Sequence, residues 1–338
     1  MGALLEYLDQ EPWRFLISFG AILFLSLNLA AILTLAERKV AGYIQLRHGP
    51  NRVGPRGLLQ PAADMVKLFT KENLSPSGSD RWVFLAAPIA MFLPAPVIWL
   101  VVPFAPGVVV ADLNIALLFF ISITSIGALG VIMAGYGSRS NFSLLGALRG
   151  AGQLISYEVP LILSLLGVAI LAGSLSLVDV VNAQDGGFWN WYFLPQFPML
   201  IAFFVAGIAE VKRIPFDLPE GESEIVGGFM VEYSGMTWAM IQASEFGLMG
   251  LMSAVSATVF FGGWQPPLEF LDLGNFNWIW LGLKTALLMF TFLWIRWTLP
   301  RLRMDQLMDF GWKVLVPLTI FWLFVTAGAV LAFPSIFG

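Results

Sequence analysis

Eight apolar stretches, each about 20 residues long, divide this sequence and leave it few folds to choose from. They cover about 15–36, 82–102, 113–136, 154–175, 194–209, 238–261, 276–297 and 314–333. About 20 apolar residues in a helix cross the ~30 Å hydrocarbon core of a bilayer, and in lipid a helix satisfies every backbone N–H and C=O within its own segment. The stretches therefore predict an all-α polytopic membrane protein of about eight transmembrane helices, built as a single integral membrane domain over 1–338. Pro88, Pro94 and Pro96 fall within the second stretch, a pattern that membrane helices tolerate when neighbours satisfy the freed carbonyls. Charged residues make up 12% of the chain, about half the share usual in soluble domains. No internal repeat of the kind that marks many transporters is evident.

The basic residues sort by loop. All but Arg14 and Lys284 lie in the segments that follow the first, third, fifth and seventh stretches. The alternate loops, around 103–112, 176–193 and 262–275, hold none. The positive-inside rule then makes the basic loops cytoplasmic and puts both termini on the periplasmic side of a bacterial inner membrane. Glu6, Asp9 and Glu11 stand where a cleavable leader would carry basic residues, so none is expected.

Some chemistries are excluded. With no cysteine, the chain supplies no disulfide, no thiolate for an iron–sulfur cluster and no Cys-type zinc site. One histidine, His48, rules out a multi-His metal or haem site within the chain. No GxGxxG follows a strand, so nothing here binds a dinucleotide, and nothing points to nucleic acid.

The loop 37–81 has a structure of its own. Residues 49–57, GPNRVGPRG, are irregular by composition. Leu58, Leu59, Ala62, Met65, Val66 and Phe69 then recur at helical spacing. They predict an amphipathic helix over about 58–72, too short and too charged to span. Such a helix lies on the membrane surface, or it walls a pocket or docks a peripheral partner.

The densest chemistry is in 210–232, EVKRIPFDLPEGESEIVGGFMVE. Glu210, Asp217, Glu220, Glu222, Glu224 and Glu232 are six of the 22 acids, opposed there only by Lys212 and Arg213. Glu158, Glu245 and Lys284 lie inside apolar stretches. A charge at mid-bilayer costs roughly 2.5–3.5 kcal/mol even on insertion scales, so such residues face a bundle interior or a water-filled cavity. Desolvation and mutual repulsion both raise a carboxyl's proton affinity. The acids thus read as a proton path, against the plainer readings of a Glu245–Lys284 ion pair locking two helices and a solvated acidic loop.

Four long motifs carry a family resemblance. ERKVAGYIQLRHGPNRVGPRGLLQPAADMVKLFTKE (37–72), GSRSNFSLLGALRGAGQLISYE (137–158), AEVKRIPFDLPEGESEIVGGFMVEYSG (209–235) and RWTLPRLRMDQLMDFGWKVLVP (296–317) resemble the family of H-type membrane subunits of NADH:quinone oxidoreductase, respiratory complex I. The resemblance implies a non-autonomous subunit of a proton-translocating enzyme, one that forms the membrane part of the quinone-binding chamber. It implies that Glu37, Arg38, Arg47, Asp64, Arg296 and Arg301 border the chamber. It also implies that Glu210, Asp217, Glu220, Glu222 and Glu224 face the quinone headgroup, while Glu158, Glu210, Glu232 and Glu245 continue as buried proton carriers. Quinone is then the substrate. NADH, FMN and iron–sulfur clusters belong to other subunits, with quinone-module subunits on the cytoplasmic face and small and antiporter-like subunits in the membrane as partners. A relative fed by ferredoxin or hydrogenase, an ion transporter and a purely structural anchor are the alternatives.

Overall fold

The computed structural model describes residues 12–332; the side chains of Pro12, Arg14, Phe15, Glu222, Ser223, Glu269 and Asn275 are outside the described set. The leader expectation for residues 1–11 and the last residue of the eighth stretch fall outside the described residues. Among those described there is no strand, only one isolated bridge between Ala105 and Val108. The chain is all-α, as its apolar stretches require.

The helices are α1 (Pro12–Ile44), α2 (Gln60–Thr70), α3 (Arg81–Phe92), α4 (Pro94–Ile98), α5 (Ala116–Gly137), α6 (Asn141–Ala172), α7 (Leu177–Asn182) and α8 (Phe197–Glu210). They continue with α9 (Glu222–Ile225), α10 (Gly235–Phe260), α11 (Trp278–Thr298), α12 (Met304–Phe310) and α13 (Val316–Ala332). A π-helical turn, Gly311–Leu315, joins α12 to α13. Seven of these units are long and apolar enough to cross a bilayer: α1, α3 with α4, α5, α6, α10, α11, and α12 through α13. The eighth expected span, α8, has 14 helical residues, roughly 21 Å at 1.5 Å per residue. It is shorter than the hydrocarbon core.

α10 is the axis of the bundle. Of its most apolar 18-residue window, 94% is buried within the protein. It is lined by small residues, among them Gly247, Gly250, Ser253, Ala254 and Ala257, which allow close helix approach where lipid supplies no hydrophobic drive between helices. Several helices outrun their apolar stretches. α1 continues to Ile44, and α6 begins at Asn141, far ahead of the expected 154.

Proline breaks are met by specific partners. Pro88 has no N–H for the carbonyl of Phe84, four residues earlier in α3. The Tyr233 hydroxyl donates to that carbonyl at 3.0 Å, and its ring stacks on Phe84 with centroids 4.2 Å apart. This contact pins the acidic loop's far end to α3.

At the opposite end of the bundle, Gln184 donates to the Val180, Thr258 and Val259 carbonyls and accepts from the Tyr192 and Gly262 amides. Lys284 does not pair with Glu245. Its ammonium donates to the carbonyls of Phe261, Gly263 and Gln265 at 2.6, 2.9 and 2.7 Å, and lies 3.9 Å from the Trp191 ring centroid. A lysine so placed satisfies carbonyls at and just past the C-terminus of α10, where the helix dipole also favours a cation.

The amphipathic helix is present as α2, three turns instead of four. Met65, Val66 and Phe69 are exposed on its apolar face, and Met65, Leu68 and Phe69 line an open cavity.

Candidate functional site

The loop between α8 and α10 is folded back into the protein. Gln153, buried in α6, donates to the carbonyls of Ala209 and Phe216, each at 2.7 Å, and so ties the end of α8 to the start of the loop. The Ile214–Pro215 bond is cis, and the Pro215 carbonyl accepts from the Leu302 amide at 3.1 Å. Phe216 packs on Tyr157 of α6. Gly228 has φ +57°, and a Cβ there would run into the Pro219 carbonyl. Glycine alone lets the loop cross itself at this point.

This path turns Lys212 and Arg213 inward. Arg213 Nη2 lies 3.2 Å from Glu245 Oε2, and Arg213 Nη1 lies 3.7 Å from Glu37 Oε2. Lys212 Nζ is 3.8 Å from the other Glu245 oxygen. Arg296, near the end of α11, pairs with Glu37. Glu245 is fully buried, and Glu37, Lys212 and Arg213 are nearly so. Ionising Glu245 is costly unless cations compensate it, and the loop supplies two.

Glu220 faces Glu245 carboxyl to carboxyl. Two carboxylates cannot hydrogen-bond to each other; a proton on either would join them. Burial, then the Glu245 charge, pushes the Glu220 carboxyl well above its ordinary range. Burial also raises Asp217, to about 6, against the pull of Arg301. Parts of both side chains reach the surface, yet Asp217 Oδ1 and Glu220 Oε1 are sealed from solvent and lack hydrogen-bond partners. Glu210 lies within electrostatic reach of Glu158 and Lys212, and Glu158 accepts from Ser125 of α5. Lys212 therefore stands between the Glu158–Glu210 group and the Glu220–Glu245 pair.

A cavity of about 490 Å³ opens beside this cluster, between α1, α2 and α10. Its walls are apolar, with Leu27, Ala31, Leu68, Phe69, Phe92 and Phe246 among them. Glu37 and Arg213 are its buried polar lining, Arg296 and Asp64 line it half-buried, and Arg38 and Lys67 line it from more exposed positions. Burial would raise Asp64, but Arg38 at 2.7 Å and Gln60 outweigh it and hold the carboxyl low. A site of this kind suits a long apolar molecule with a compact polar head.

Of the expected border residues, Glu37, Arg38, Asp64 and Arg296 come to this cavity. Arg47 is off its wall and donates to Gln45; Arg301 is also off the wall, against Gly221 and 4.0 Å from Glu224. Asp217, Glu220 and Glu245 gather into one cluster. Glu224 is turned outward, its carboxyl held low by the Arg149 hydrogen bond at 2.7 Å. Glu232 is half-buried, and among the described residues no ion pair reaches it. The Glu222 side chain is outside the described set. Gln153 and Ser125 were not picked out from sequence, and Lys212 and Arg213 stood there only as the bases opposing the acids, not as partners of Glu245. A fully buried Glu245 needs a countercharge, and the two bases of the next loop were the signal. Among the described residues no three His, Cys, Asp or Glu side chains gather as a metal site.

The family model described as NADH dehydrogenase matches residues 17–327. The H-type subunit of NADH-quinone oxidoreductase from Rubrobacter xylanophilus is 79% identical over 327 residues, covering 97% of this chain and 99% of that protein. The proteins of the same description from Rhodospirillum rubrum and Vesicomyosocius okutanii are 49% and 47% identical, covering 93% and 96% of this chain and 93% and 94% of theirs. The apolar bundle, the buried carboxyls and these likenesses agree: the chain belongs to the NADH dehydrogenase family whose members include the H-type subunits of NADH-quinone oxidoreductase.

Proposed function

We propose that this chain is the membrane subunit of a proton-pumping NADH:quinone oxidoreductase in which the 490 Å³ cavity admits the quinone. Reduction of a quinone to a quinol takes two electrons, delivered from other subunits, and two protons. The chain binds no cofactor of its own in this reading. Its residues orient the headgroup, exclude water and carry protons.

One observation supports the coupling best: Arg213 touches Glu37 on the cavity wall and Glu245 of the proton-sharing pair. A unit charge appearing about 5 Å from such a group acts on it with on the order of 3 kcal/mol at an effective dielectric of ~20. That is enough to move a proton on or off a pair whose two states are closely balanced. Lys212 extends the link toward Glu210 and Glu158. The acidic loop and the basic loops face the cytoplasm in this reading, where the quinone-module subunits dock. Both termini are periplasmic, the bilayer is a bacterial inner membrane, and the antiporter-like subunits lie in the membrane beyond the carboxyl chain.

A photoreactive quinone analogue, applied to the assembled complex and mapped by peptide, tests the assignment. Labelling is expected in residues 60–70 and 236–246, in competition with unlabelled quinone. Labelling confined to other subunits removes the cavity from the quinone path.

A further inference from the structure

A second cavity, of about 330 Å³, lies between α2 and the loop that opens α10. It shares Lys67, Leu68 and Trp238 with the larger cavity, so these three side chains form a common partition. Its remaining polar lining comes from Lys71, Tyr233 and Ser234. The Tyr233 hydroxyl is spent on the Phe84 carbonyl. Ser234 Oγ accepts from the Leu74 amide and donates to the Glu72 carbonyl. What remains uncommitted is positive. Lys67 is only loosely held by Asp64, at 3.3 Å. Among the described residues no ion pair reaches Lys71.

Lys67 and Lys71 stand one turn apart along α2 and its C-terminal cap, and converge on one small space, which therefore favours an anion. The surroundings say which anion. Val66 of α2 is exposed beside Met65 and Phe69, which line the open larger cavity, and Trp238 is 38% exposed. An amphipathic helix with this face lies in the headgroup region, and tryptophan is enriched at that depth. A phospholipid offers a phosphate for the lysines and acyl chains for the apolar face. Inorganic phosphate offers only the first.

We propose that the cavity between α2 and the start of α10 binds the phosphodiester headgroup of an anionic membrane phospholipid, held by Lys71 and Lys67. The lipid bridges the two helices beside Trp238 and braces the partition of the larger cavity. The effect on quinone access rests on the function proposed above; the binding itself does not.

The test uses the assembled complex in nanodiscs of phosphatidylcholine with phosphatidylglycerol carrying a photoreactive acyl chain. Crosslinks are expected in residues 60–70 and 235–242. Phosphatidylglycerol should label there in preference to a matched phosphatidylcholine probe, and millimolar inorganic phosphate should leave the yield unchanged. Lys71→Gln should lower it about fivefold, the usual contribution of one basic residue at an anionic surface, while Lys71→Arg should preserve it. Equal labelling by the two lipids in the wild type, or an unchanged yield in Lys71→Gln, overturns the proposal. Loss of labelling to inorganic phosphate alone shows a free-anion site and overturns the lipid assignment. No step reads quinone turnover, so failure of the quinone assignment leaves the outcome interpretable.

Discussion

Glu220 of the loop and Glu245 of α10 meet carboxyl to carboxyl inside the protein, with Arg213 beside Glu245. Their contact is a hydrogen bond only while one of them holds a proton. The acidic loop therefore covers Glu245, and a proton on the Glu220 carboxyl would fasten the loop to α10.

Removing the proton from this contact has a defined result. Glu220→Gln keeps the shape and donates a hydrogen bond at every pH. Because the Glu220 carboxyl is raised above its ordinary range, the wild-type contact is intact at low pH and lost as pH rises through the raised value. The variant should lose the alkaline part of the pH dependence of quinone reduction, and proton translocation per electron should fall. Complex reconstituted in vesicles, assayed from the ordinary carboxylate range of about pH 4–5 up to alkaline pH, gives both numbers; profiles superimposable on wild type argue against a titrating role.

Asp217 makes a similar prediction for stability. Its folded carboxyl is raised to about 6, so its contribution is fully present below the ordinary carboxylate range and is lost as pH rises through about 6. Asp217→Asn should remove that loss, worth on the order of 2 kcal/mol after allowing for partial exposure. Melting temperatures of the purified complex at about pH 4 and pH 8, near the bottom of that window and above it, should therefore differ less in the variant than in the wild type.

Arg213 joins two buried carboxylates, and truncation leaves both without it. Arg213→Met should cost about 3–5 kcal/mol, the usual result of stripping a buried charge of its partner. Native gels should show little assembled complex. Assembly at wild-type levels would mean that Lys212 and Arg296 suffice to hold Glu245 and Glu37.

The cavity can be filled from one wall. Ala31→Trp projects an indole into the space between α1 and α2 without touching the carboxyl cluster. The KM for quinone should rise about tenfold, equivalent to about 1.4 kcal/mol of binding, with assembly unchanged. Steady-state kinetics over a range of quinone tail lengths provides the measurement.

Much of the fold could be read from hydropathy, because the bilayer forces each spanning segment to announce itself in its side chains. What hydropathy misses is where a helix continues beyond lipid. α6 starts at Asn141 and α1 runs to Ile44, since a helical backbone satisfies itself equally well under polar side chains. α8 fell the other way, with its apolar stretch only partly helical. The acids of the site were visible as anomalies in apolar surroundings. Their partners were not, because pairing depends on helix rotation and loop path. Lys284 and Glu245 sit in adjacent long helices and suggest each other, yet Lys284 serves backbone carbonyls and Glu245 is answered by Lys212 and Arg213. Nothing local in the sequence distinguishes these outcomes.

The three carbonyls and the indole around the Lys284 ammonium form the kind of oxygen cage that could otherwise attract an alkali-metal ion. Here the guest is covalently attached. Its occupancy does not vary with the surrounding salt, chelators have nothing to extract, and it cannot exchange with sodium or potassium. At the end of its central helix remote from the acidic loop, the protein carries its own cation in place of one drawn from solution.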